Sequence, residues 1–453
     1  MSSSAPTARP LPALAENARL RYATFMALYF AQGIPYGLLS FAVPAWLAMN
    51  GKTPAQIAAY STVALLPWSL KLVVAPLIER FAYLPMGRRR PWLLAGQSGL
   101  VLSLLGLTLV PDPLHHLALL AAAVFVVNVF VVMQDVATDS LVIDVVPPEQ
   151  QGQANGLMWG AKAVGLATSL AVGTALLNHY GFGAAVLAPA AVIGLISLLP
   201  LLLRERPGEK RLPWTAGAPA PESLRLHAHG WAPLLRAARR VFALRNSLLL
   251  LPAVFVAQLC QNYLDNSLPI FTVQQLGWTN GQYSQVYSTC GLIGGVVGML
   301  AGGWLIGRLG TIRLVQGSLL GLGLLAAALG GGRAWWPDPA FITGCIGVFC
   351  LLNTLAMVGL LALAMQCCWP RISAVQFTVY MTVFNLGAAT GTALLGVVRS
   401  HLPWAGTYLL VPVLLVGAAG LLGLVHLPTH TRHLAELESR HQEQEALALR
   451  VAG

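Results

Sequence analysis

Apolar stretches long enough to cross a bilayer recur along the whole chain, and they exclude most other folds. A membrane-spanning helix needs about 20 apolar residues, and twelve such stretches can be marked in the 453 residues. Only 9% of the residues are charged, whereas a soluble domain carries about 25%. In lipid, helices satisfy their own backbone hydrogen bonds, so such a chain needs no polar surface. We therefore predict an all-α integral membrane protein.

The predicted spans form two groups of six, separated by a polar stretch. The longer spans are expected to tilt or to extend beyond the hydrocarbon. Repeated bundles of this kind are typical of transporters whose binding site lies near the bilayer midplane. The spans lie near residues 22–48, 56–78, 92–110, 116–146, 153–178 and 183–203 in the first half, and near 246–275, 282–307, 313–331, 339–368, 373–399 and 404–427 in the second.

Polar segments divide the chain into five predicted parts. Residues 1–21 form a polar tail, and the apolar stretch after them is expected to act as an uncleaved signal anchor. Residues 204–245 are rich in Pro, Gly and Arg, so we interpret them as a linker between two six-helix bundles, 22–203 and 246–428. Residues 429–453 form a second tail, whose composition predicts a solvated helix, with a partner-binding helix as the alternative.

Lysine and arginine concentrate on one predicted side of the membrane. With the N-terminus inside, cytoplasmic segments hold 22 of the 27 basic residues, and the opposite side holds only Lys52, Arg333 and Arg399. Basic residues are typical of cytoplasmic loops, so we predict that both termini are cytoplasmic. The net charge of +11 does not indicate nucleic acid, because the basic residues lie between apolar stretches.

The sequence carries no motif for catalysis, metal binding or ATP hydrolysis. It contains no Gly-rich phosphate loop followed by Lys and Ser or Thr, no HExxH and no G-x-S-x-G. The six cysteines lie in apolar stretches without metal-ligand spacing, so we interpret them as small buried apolar residues. The sequence therefore predicts no enzyme, no cofactor and no metal site.

Ionisable residues inside predicted spans mark the candidate functional site. Asp135 and Asp139, next to Gln134, are four residues apart and share one helix face. Two carboxyl groups close together in a medium of low dielectric constant are not both easily charged, so one can carry a proton. Lys71 or Lys162 could neutralise the other. We expect proton coupling here, and a buried ion pair that only fixes helix packing is the alternative.

Further polar side chains at helical spacing indicate a wide polar cavity. So many hydrogen-bonding groups would not face lipid, although packing against another polar face is the alternative. Beside the aromatic and amide groups of its helix, Lys162 could hold an anionic solute, or it could pair with a nearby aspartate. The expected substrate-binding residues, besides Lys71, Gln134 and Lys162, are Tyr29, Gln32, Tyr36, Asn155, Trp159, Gln258, Gln261, Asn262, Asp265, Gln376 and Tyr380.

Two predicted cytoplasmic loops are rich in glycine and arginine. The first lies within 76–90 and contains a glutamate, and the second lies within 303–313 and contains no acid. Both resemble the Gly-Asp-Arg-Gly-Arg loop motif of the major facilitator superfamily, with the glutamate in place of the aspartate in the first loop. The resemblance implies that these residues act as conformational latches, and the positive-inside bias alone is the alternative. The latch candidates are Glu79, Arg80, Arg88, Arg89, Arg308 and Arg313.

Four further stretches carry a more specific pattern. They are Tyr-Phe-Ala-Gln-Gly-Ile-Pro-Tyr-Gly at 29–37, the segment 71–92, Gln-Asp-Val-Ala-Thr-Asp at 134–139 and Ser-Ala-Val-Gln-Phe-Thr at 373–378. These stretches are similar to the AmpG-type anhydromuropeptide permeases and to the related acetyl-coenzyme A and siderophore permeases. This resemblance implies that Lys71, Gln134, Asp135 and Lys162 line or control the central path, and that import is driven by protons.

The sequence thus predicts a proton-coupled importer of a polar anionic solute in the bacterial inner membrane. Its partners are the solute, protons and lipid, without nucleic acid, and a monomer is expected. Anhydromuropeptide is the leading substrate. A ferric siderophore, an acyl-coenzyme A or the efflux of a small molecule are alternatives. A non-transporting sensor is disfavoured, because it has no use for buried carboxylates.

Overall fold

The structure, a computed structural model, describes residues 13–227 and 230–452. Within these ranges every regular element is a helix, and sixteen α-helices are joined by loops and by short 3-10 and π segments. The predicted all-α fold is confirmed. The first eight helices are α1 Ala18–Gly37, α2 Val43–Met49, α3 Pro54–Leu65, α4 Lys71–Arg80, α5 Arg90–Leu107, α6 Leu117–Val145, α7 Pro148–Leu202 and α8 Pro221–Leu226. The others are α9 Trp231–Phe242, α10 Arg245–Ile270, α11 Asn280–Leu309, α12 Thr311–Gly331, α13 Pro339–Gln366, α14 Ser373–His401, α15 Trp404–Gly423 and α16 Leu427–Ala452.

Several predicted spans consist of more than one element. The π segment Leu38–Ala42 joins α1 to α2, and the 3-10 segment Leu66–Leu70 joins α3 to α4. Length and apolar composition alone select nine spans among the described residues, or ten when the bent α11 is included. The helix α7 contains two predicted spans, because Gly181 breaks it with a φ of 83°. The helix α5, which begins at Arg90, is more polar than the selected spans. Counted with α11 and with the two spans of α7, it brings the number to twelve.

Contacts divide the chain into two units. Unit 1 comprises the described residues up to Val146 together with Ala161–Gly230. Unit 2 comprises Pro147–Gly160 together with the described residues from Trp231 onward. The beginning of α7 thus belongs to unit 2 and the remainder to unit 1, a division that no change in the sequence pattern marks.

In unit 1, glycines let the backbones of α1 and α7 touch. A Cβ atom on Gly33 would lie 2.2 Å from the carbonyl oxygen of Lys162, and one on Gly165 would lie 2.3 Å from that of Phe30. Small residues at such crossings allow membrane helices to approach closely. This crossing fixes the position of Lys162 on α7 relative to the polar residues of α1.

Unit 2 has an equivalent crossing of α10 and α14. A Cβ atom on Gly387 would lie 2.4 Å from the carbonyl oxygen of Phe255, and one on Gly391 would lie 2.1 Å from that of Leu259. In both units, therefore, a helix that carries candidate site residues crosses a neighbour at glycines.

Replacing Gly165 by leucine is expected to destabilise unit 1 strongly. The side chain would meet backbone atoms that have no rotamer to change, so we expect destabilisation by about 3 kcal/mol or more. Gly194→Leu on the same helix is the matched control, because nothing lies within 4 Å of a Cβ atom there. Thermal unfolding followed by size-exclusion chromatography measures the effect. Equal melting temperatures for the two variants would contradict the crossing.

The C-terminal helix α16 exposes most of its described side chains, and one of its faces is bound to other residues of unit 2. Glu438 forms an ion pair with Arg371 at 3.0 Å and accepts a hydrogen bond from the indole of Trp369 at 3.0 Å. The imidazole Nε2 of His430 lies 2.9 Å from the carbonyl oxygen of Cys367. The helix thus covers the connection between α13 and α14, and the partners of this contact are too far apart in sequence for the pattern to reveal it.

Candidate functional site

A buried ionic cluster in unit 1 joins side chains from α1, α4, α6 and α7. Lys71 forms an ion pair with Asp135, and the amide of Gln32 donates a hydrogen bond to the same carboxylate. All three side chains are buried. Sequence spacing left open whether Lys71 or Lys162 neutralises an aspartate, and the structure pairs Asp135 with Lys71.

Asp139 lies one turn further along α6 in a different environment. It accepts a hydrogen bond from the phenol of Tyr29 and is 6% exposed. Among the described residues, no Lys or Arg forms an ion pair with Asp139. A buried carboxyl group without a bound cation is costly to charge, so Asp139 is the carboxyl group of the pair that is better suited to carry a proton.

Trp68 adds an aromatic face that the sequence pattern did not single out. It lies in the 3-10 segment before α4, and the Nζ atom of Lys71 is 4.7 Å from its ring centroid. The Nζ atom of Lys162 lies 5.5 Å from the same ring and 5.7 Å from the ring of Tyr29. Cations at these distances are attracted by the aromatic ring. In the sequence, the position of Trp68 three residues before an intramembrane lysine could have identified it as a candidate site residue.

Gln134 connects the cluster to the backbone of α1. Its amide donates a hydrogen bond to the carbonyl oxygen of Leu28 at 3.1 Å, and the side chain is completely buried. Gln134 therefore holds α6 against α1, next to the aspartates, while its amide oxygen has no hydrogen-bond partner among the described residues. Tyr36, further along α1, is half-buried, with its ring edge against Phe41 at 5.4 Å between centroids.

In unit 2, the polar face of α10 carries hydrogen-bonding groups without partners. Gln258 and Gln261 are 2% and 3% exposed, and their Nε2 atoms have no hydrogen-bond partner among the described residues. Asn262 donates to the backbone oxygen of Gln258 at 3.1 Å. Asp265 accepts a hydrogen bond from Tyr287 of α11 at 2.6 Å, a partner that the sequence pattern did not reveal. Buried donors without partners are rare in proteins, so Gln258 and Gln261 are candidates for binding a solute.

Gln376 and Tyr380 form hydrogen bonds with neighbouring groups of the protein. Gln376 donates to the carbonyl oxygen of Cys367 at 2.8 Å and accepts from the backbone N–H of Trp369 at 2.7 Å. Tyr380 donates to Ser247 at 3.2 Å. Both side chains are at most 1% exposed. Gln376 holds the connection between α13 and α14, and Tyr380 joins α14 to α10, so we do not propose either as a substrate ligand.

The predicted face of Asn155, Trp159 and Lys162 is divided between the two units. Asn155 belongs to unit 2, where its amide donates to the sulfur of Met365 at 3.0 Å. Trp159 is half-buried in unit 2, and Lys162 lies in unit 1. Helical spacing alone could not show this division, because all three residues lie on one continuous helix.

The first latch motif forms a closed set of ion pairs in unit 1. Arg88 contacts Glu79 at 2.9 Å and Asp144 at 3.1 Å, and Arg89 contacts the same two carboxylates at 2.8 and 3.0 Å. All four side chains are buried. Asp144, at the end of α6, supplies a second acid to this set.

The other latch candidates lack this arrangement. Arg80 lies 5.2 Å from the ring of Phe81, and Arg308 lies 4.7 Å from the ring of Trp304. Among the described residues, neither of these arginines nor the exposed Arg313 forms an ion pair. The second motif contains no acid, and its arginines therefore do not form the ion pairs found in the first.

The polar linker continues the ionic network in unit 1 rather than forming a simple tether. Glu205 accepts hydrogen bonds from the backbone N–H of Arg89 at 3.1 Å and pairs with Arg206 at 3.1 Å. Glu209 accepts from the backbone N–H of Arg206 at 2.9 Å and from Ser223 at 3.0 Å. Residues near the start of the predicted linker are thus folded against the loop that contains Arg89.

This part of the linker is expected to loosen as the pH rises. Burial, followed by the nearby Glu205 carboxylate, raises the pKa of Glu209 from 4.5 to about 7. The folded form therefore holds this proton more tightly than the unfolded form, and its stability decreases as the pH rises through the folded pKa. Hydrogen exchange of the Arg206 amide, corrected for intrinsic rates, should show less protection at about pH 8 than at about pH 6.

Glu209→Gln mimics the protonated acid, so it should retain protection at both pH values. Glu222→Gln is the control, because Glu222 pairs with Arg206 at the surface, with a side chain 52% exposed. An unchanged pH response in Glu209→Gln would show that another group causes the loosening.

Comparisons with known proteins agree with this fold. The family model described as Major Facilitator Superfamily matches residues 25–392. The anhydromuropeptide permease of Escherichia coli (strain K12) is 26% identical over 380 residues, which cover 81% of this chain and 72% of that protein. The folate-biopterin transporter of Synechocystis sp. is 28% identical over 388 residues, which cover 80% of this chain and 71% of that protein.

Solved structures are similar in fold at low sequence identity. The transporter FucP in its outward conformation has a TM-score of 0.67 at 13% identity, covering 90% of this chain and 98% of that chain. The human organic anion transporter MFSD10 has a TM-score of 0.62 at 15% identity, covering 89% of this chain and 99% of that chain. The relatives are permeases and transporters, so this chain is a multi-pass transporter of a small-molecule solute and not an enzyme. The chain belongs to the major facilitator superfamily.

Proposed function

We propose that this transporter imports a polar anionic solute together with protons across the bacterial inner membrane, with both termini in the cytoplasm. The observation that carries the proposal is the cluster of the buried Lys71, Asp135 and Asp139 with the half-buried Lys162. With all four groups ionised its net charge is zero. When Asp139 is protonated the cluster has a net charge of +1, and it then attracts an anion.

This change of charge links proton binding to solute binding. On the periplasmic side, protonation of Asp139 raises the net charge of the cluster to +1, and the carboxylate of the anionic solute balances this charge. On the cytoplasmic side, loss of the proton restores the carboxylate, which competes with the solute for Lys162. Asp135 stays paired with Lys71 throughout. The two ligands therefore favour each other's binding, as linkage requires of a symporter.

An anhydromuropeptide is the leading solute, because the Escherichia coli permease that matches this chain is named for that substrate. Such a molecule combines peptide carboxylates with a sugar ring, and these groups fit lysine and aromatic side chains. A folate or biopterin is the second candidate, supported by the match to the Synechocystis transporter. A folate also combines carboxylates with a flat ring, so the cluster alone does not separate the two.

Uptake into proteoliposomes tests the proposal. Vesicles with an acidic exterior and a negative interior are offered labelled anhydromuropeptide, folate or ferric siderophore, and protein-free vesicles serve as the control. We expect accumulation of one carboxylate-bearing solute, and collapse of the pH gradient should abolish it. Accumulation that is unchanged by the collapse would exclude proton coupling. No accumulation of any of the three, by protein that is folded, would exclude the proposed substrate class.

A further inference from the structure

A recess of about 650 Å³ lies in unit 2 beyond the polar face of α10. Its walls come from the end of α10, the π segment Phe271–Gln275 and the last turns of α14. The volume is within the range of small-molecule sites, about 300–1,000 Å³. The polar residues that line it are Asn266, Gln274, Thr392, Arg399 and Ser400.

Arg399 is held in a defined orientation in this recess. One of its terminal nitrogen atoms donates to the carbonyl oxygen of Leu402 at 2.7 Å, and its Cζ atom lies 4.1 Å from the ring centroid of Trp404. Its Nε and second terminal nitrogen have no hydrogen-bond partner among the described residues. A planar guanidinium with two free donors on one edge matches a carboxylate.

No acidic side chain lines the recess among the described residues. The nearest carboxylate along α10, that of Asp265, already accepts the hydrogen bond from Tyr287. Asn266 joins the two helix walls by donating to Thr392 at 3.2 Å. The positive charge of Arg399 is therefore not neutralised by a neighbouring acid, and the walls around it are cross-linked.

The recess continues the polar face of α10 at helical spacing. Gln258, Asn262 and Asn266 follow one another at intervals of four residues, so they lie along one side of the helix. A solute that contacts Arg399 thus lies at the end of this row, which begins with Gln258, a candidate for solute binding. With the orientation proposed above, this end of α10 is the periplasmic end.

We propose that Arg399 binds a carboxylate of the solute in an outer subsite of the transport path. The assignment rests on the proposed import of a carboxylate-bearing solute. Its role is to select anions before they reach the more deeply buried groups of α10. Since the groups around Arg399 are amides and hydroxyls, the subsite suits a carboxylate that carries a polar sugar or peptide.

Equilibrium binding to the full chain in nanodiscs tests this assignment. The probes are an anhydromuropeptide and the same compound with its carboxylates converted to amides. Wild type should prefer the acid, and Arg399→Gln should reduce this preference by about tenfold, the size expected for one charge-assisted pair. Arg399→Lys should reduce it less, and the preference that remains in Arg399→Gln is the contribution of Lys162. Arg333→Gln is the control, because Arg333 lines a separate recess in the same unit.

The outcomes of this experiment distinguish an error in the subsite from an error in the proposed function. If wild type prefers the acid and Arg399→Gln keeps the full preference, the subsite is excluded and the proposed function stands. If wild type binds neither probe, both are excluded for this solute. The titration is repeated in nanodiscs with phosphatidylglycerol. If this lipid weakens binding to wild type and not to Arg399→Gln, Arg399 holds a lipid phosphate and the solute subsite is excluded.

Discussion

Replacing Asp139 by asparagine is expected to abolish accumulation of the solute against its gradient while exchange of solute across the membrane continues. The amide is neutral at all pH values, so the cluster stays permanently at a net charge of +1. Solute binding then no longer depends on a proton. The side chain still accepts a hydrogen bond from Tyr29, so the packing of α1 against α6 is preserved.

Two uptake measurements distinguish this result from a loss of folding. Accumulation driven by a pH gradient should decrease to the level of protein-free vesicles, while counterflow of labelled solute stays within about twofold of wild type, less than 0.5 kcal/mol. Asp112→Asn is the matched control, because Asp112 lies in an exposed loop beside His115. Full gradient-driven accumulation by Asp139→Asn would remove Asp139 as the proton carrier.

Neutralising either member of the Lys71–Asp135 pair is expected to destabilise the protein strongly, whereas neutralising both should restore much of the loss. Lys71→Met leaves the carboxylate of Asp135 buried without its cation, and Asp135→Asn leaves the ammonium group without its anion. Removing one partner of a buried pair costs about 3–5 kcal/mol, and replacing both is often close to neutral.

Thermal unfolding of the two single variants and of the double variant measures this coupling. Lys52→Met is the control, since Lys52 lies in the connection between α2 and α3, outside the cluster. If the loss of stability in the double variant equals the sum of the losses in the two single variants, Lys71 and Asp135 do not stabilise each other. A small effect of Lys71→Met would mean that Lys162 takes over the neutralisation of Asp135.

The sequence predicted the fold because the bilayer imposes a simple rule on it. Apolar stretches of spanning length must be helices, and charged residues inside them stand out against that background. Lys71, Asp135 and Asp139 were found in this way. Their pairing could not be predicted, because Lys71 and Asp135 are brought together by packing between helices and not by spacing along one helix.

Other parts of the site left no distinct signal. Trp68 and Tyr287 are aromatic residues in apolar stretches, where most aromatic residues only fill space. Gln376 and Tyr380 have the same spacing as cavity-lining residues, but their hydrogen bonds go to a nearby loop and to Ser247. Periodicity shows which residues share a helix face, and it does not show what that face contacts.

The 3-10 segment Leu66–Leu70 sets the rotation of α4 about its own axis. A 3-10 helix turns about 120° per residue and an α-helix about 100°, and side chains three residues apart in a 3-10 helix are eclipsed. Trp68 and Lys71 are therefore aligned at its end. Rewinding these five residues as α-helix would turn α4 by about 100° about its axis and shorten the span by about 2.5 Å. The ammonium group of Lys71 would then point away from Asp135, without any unfolding of α4.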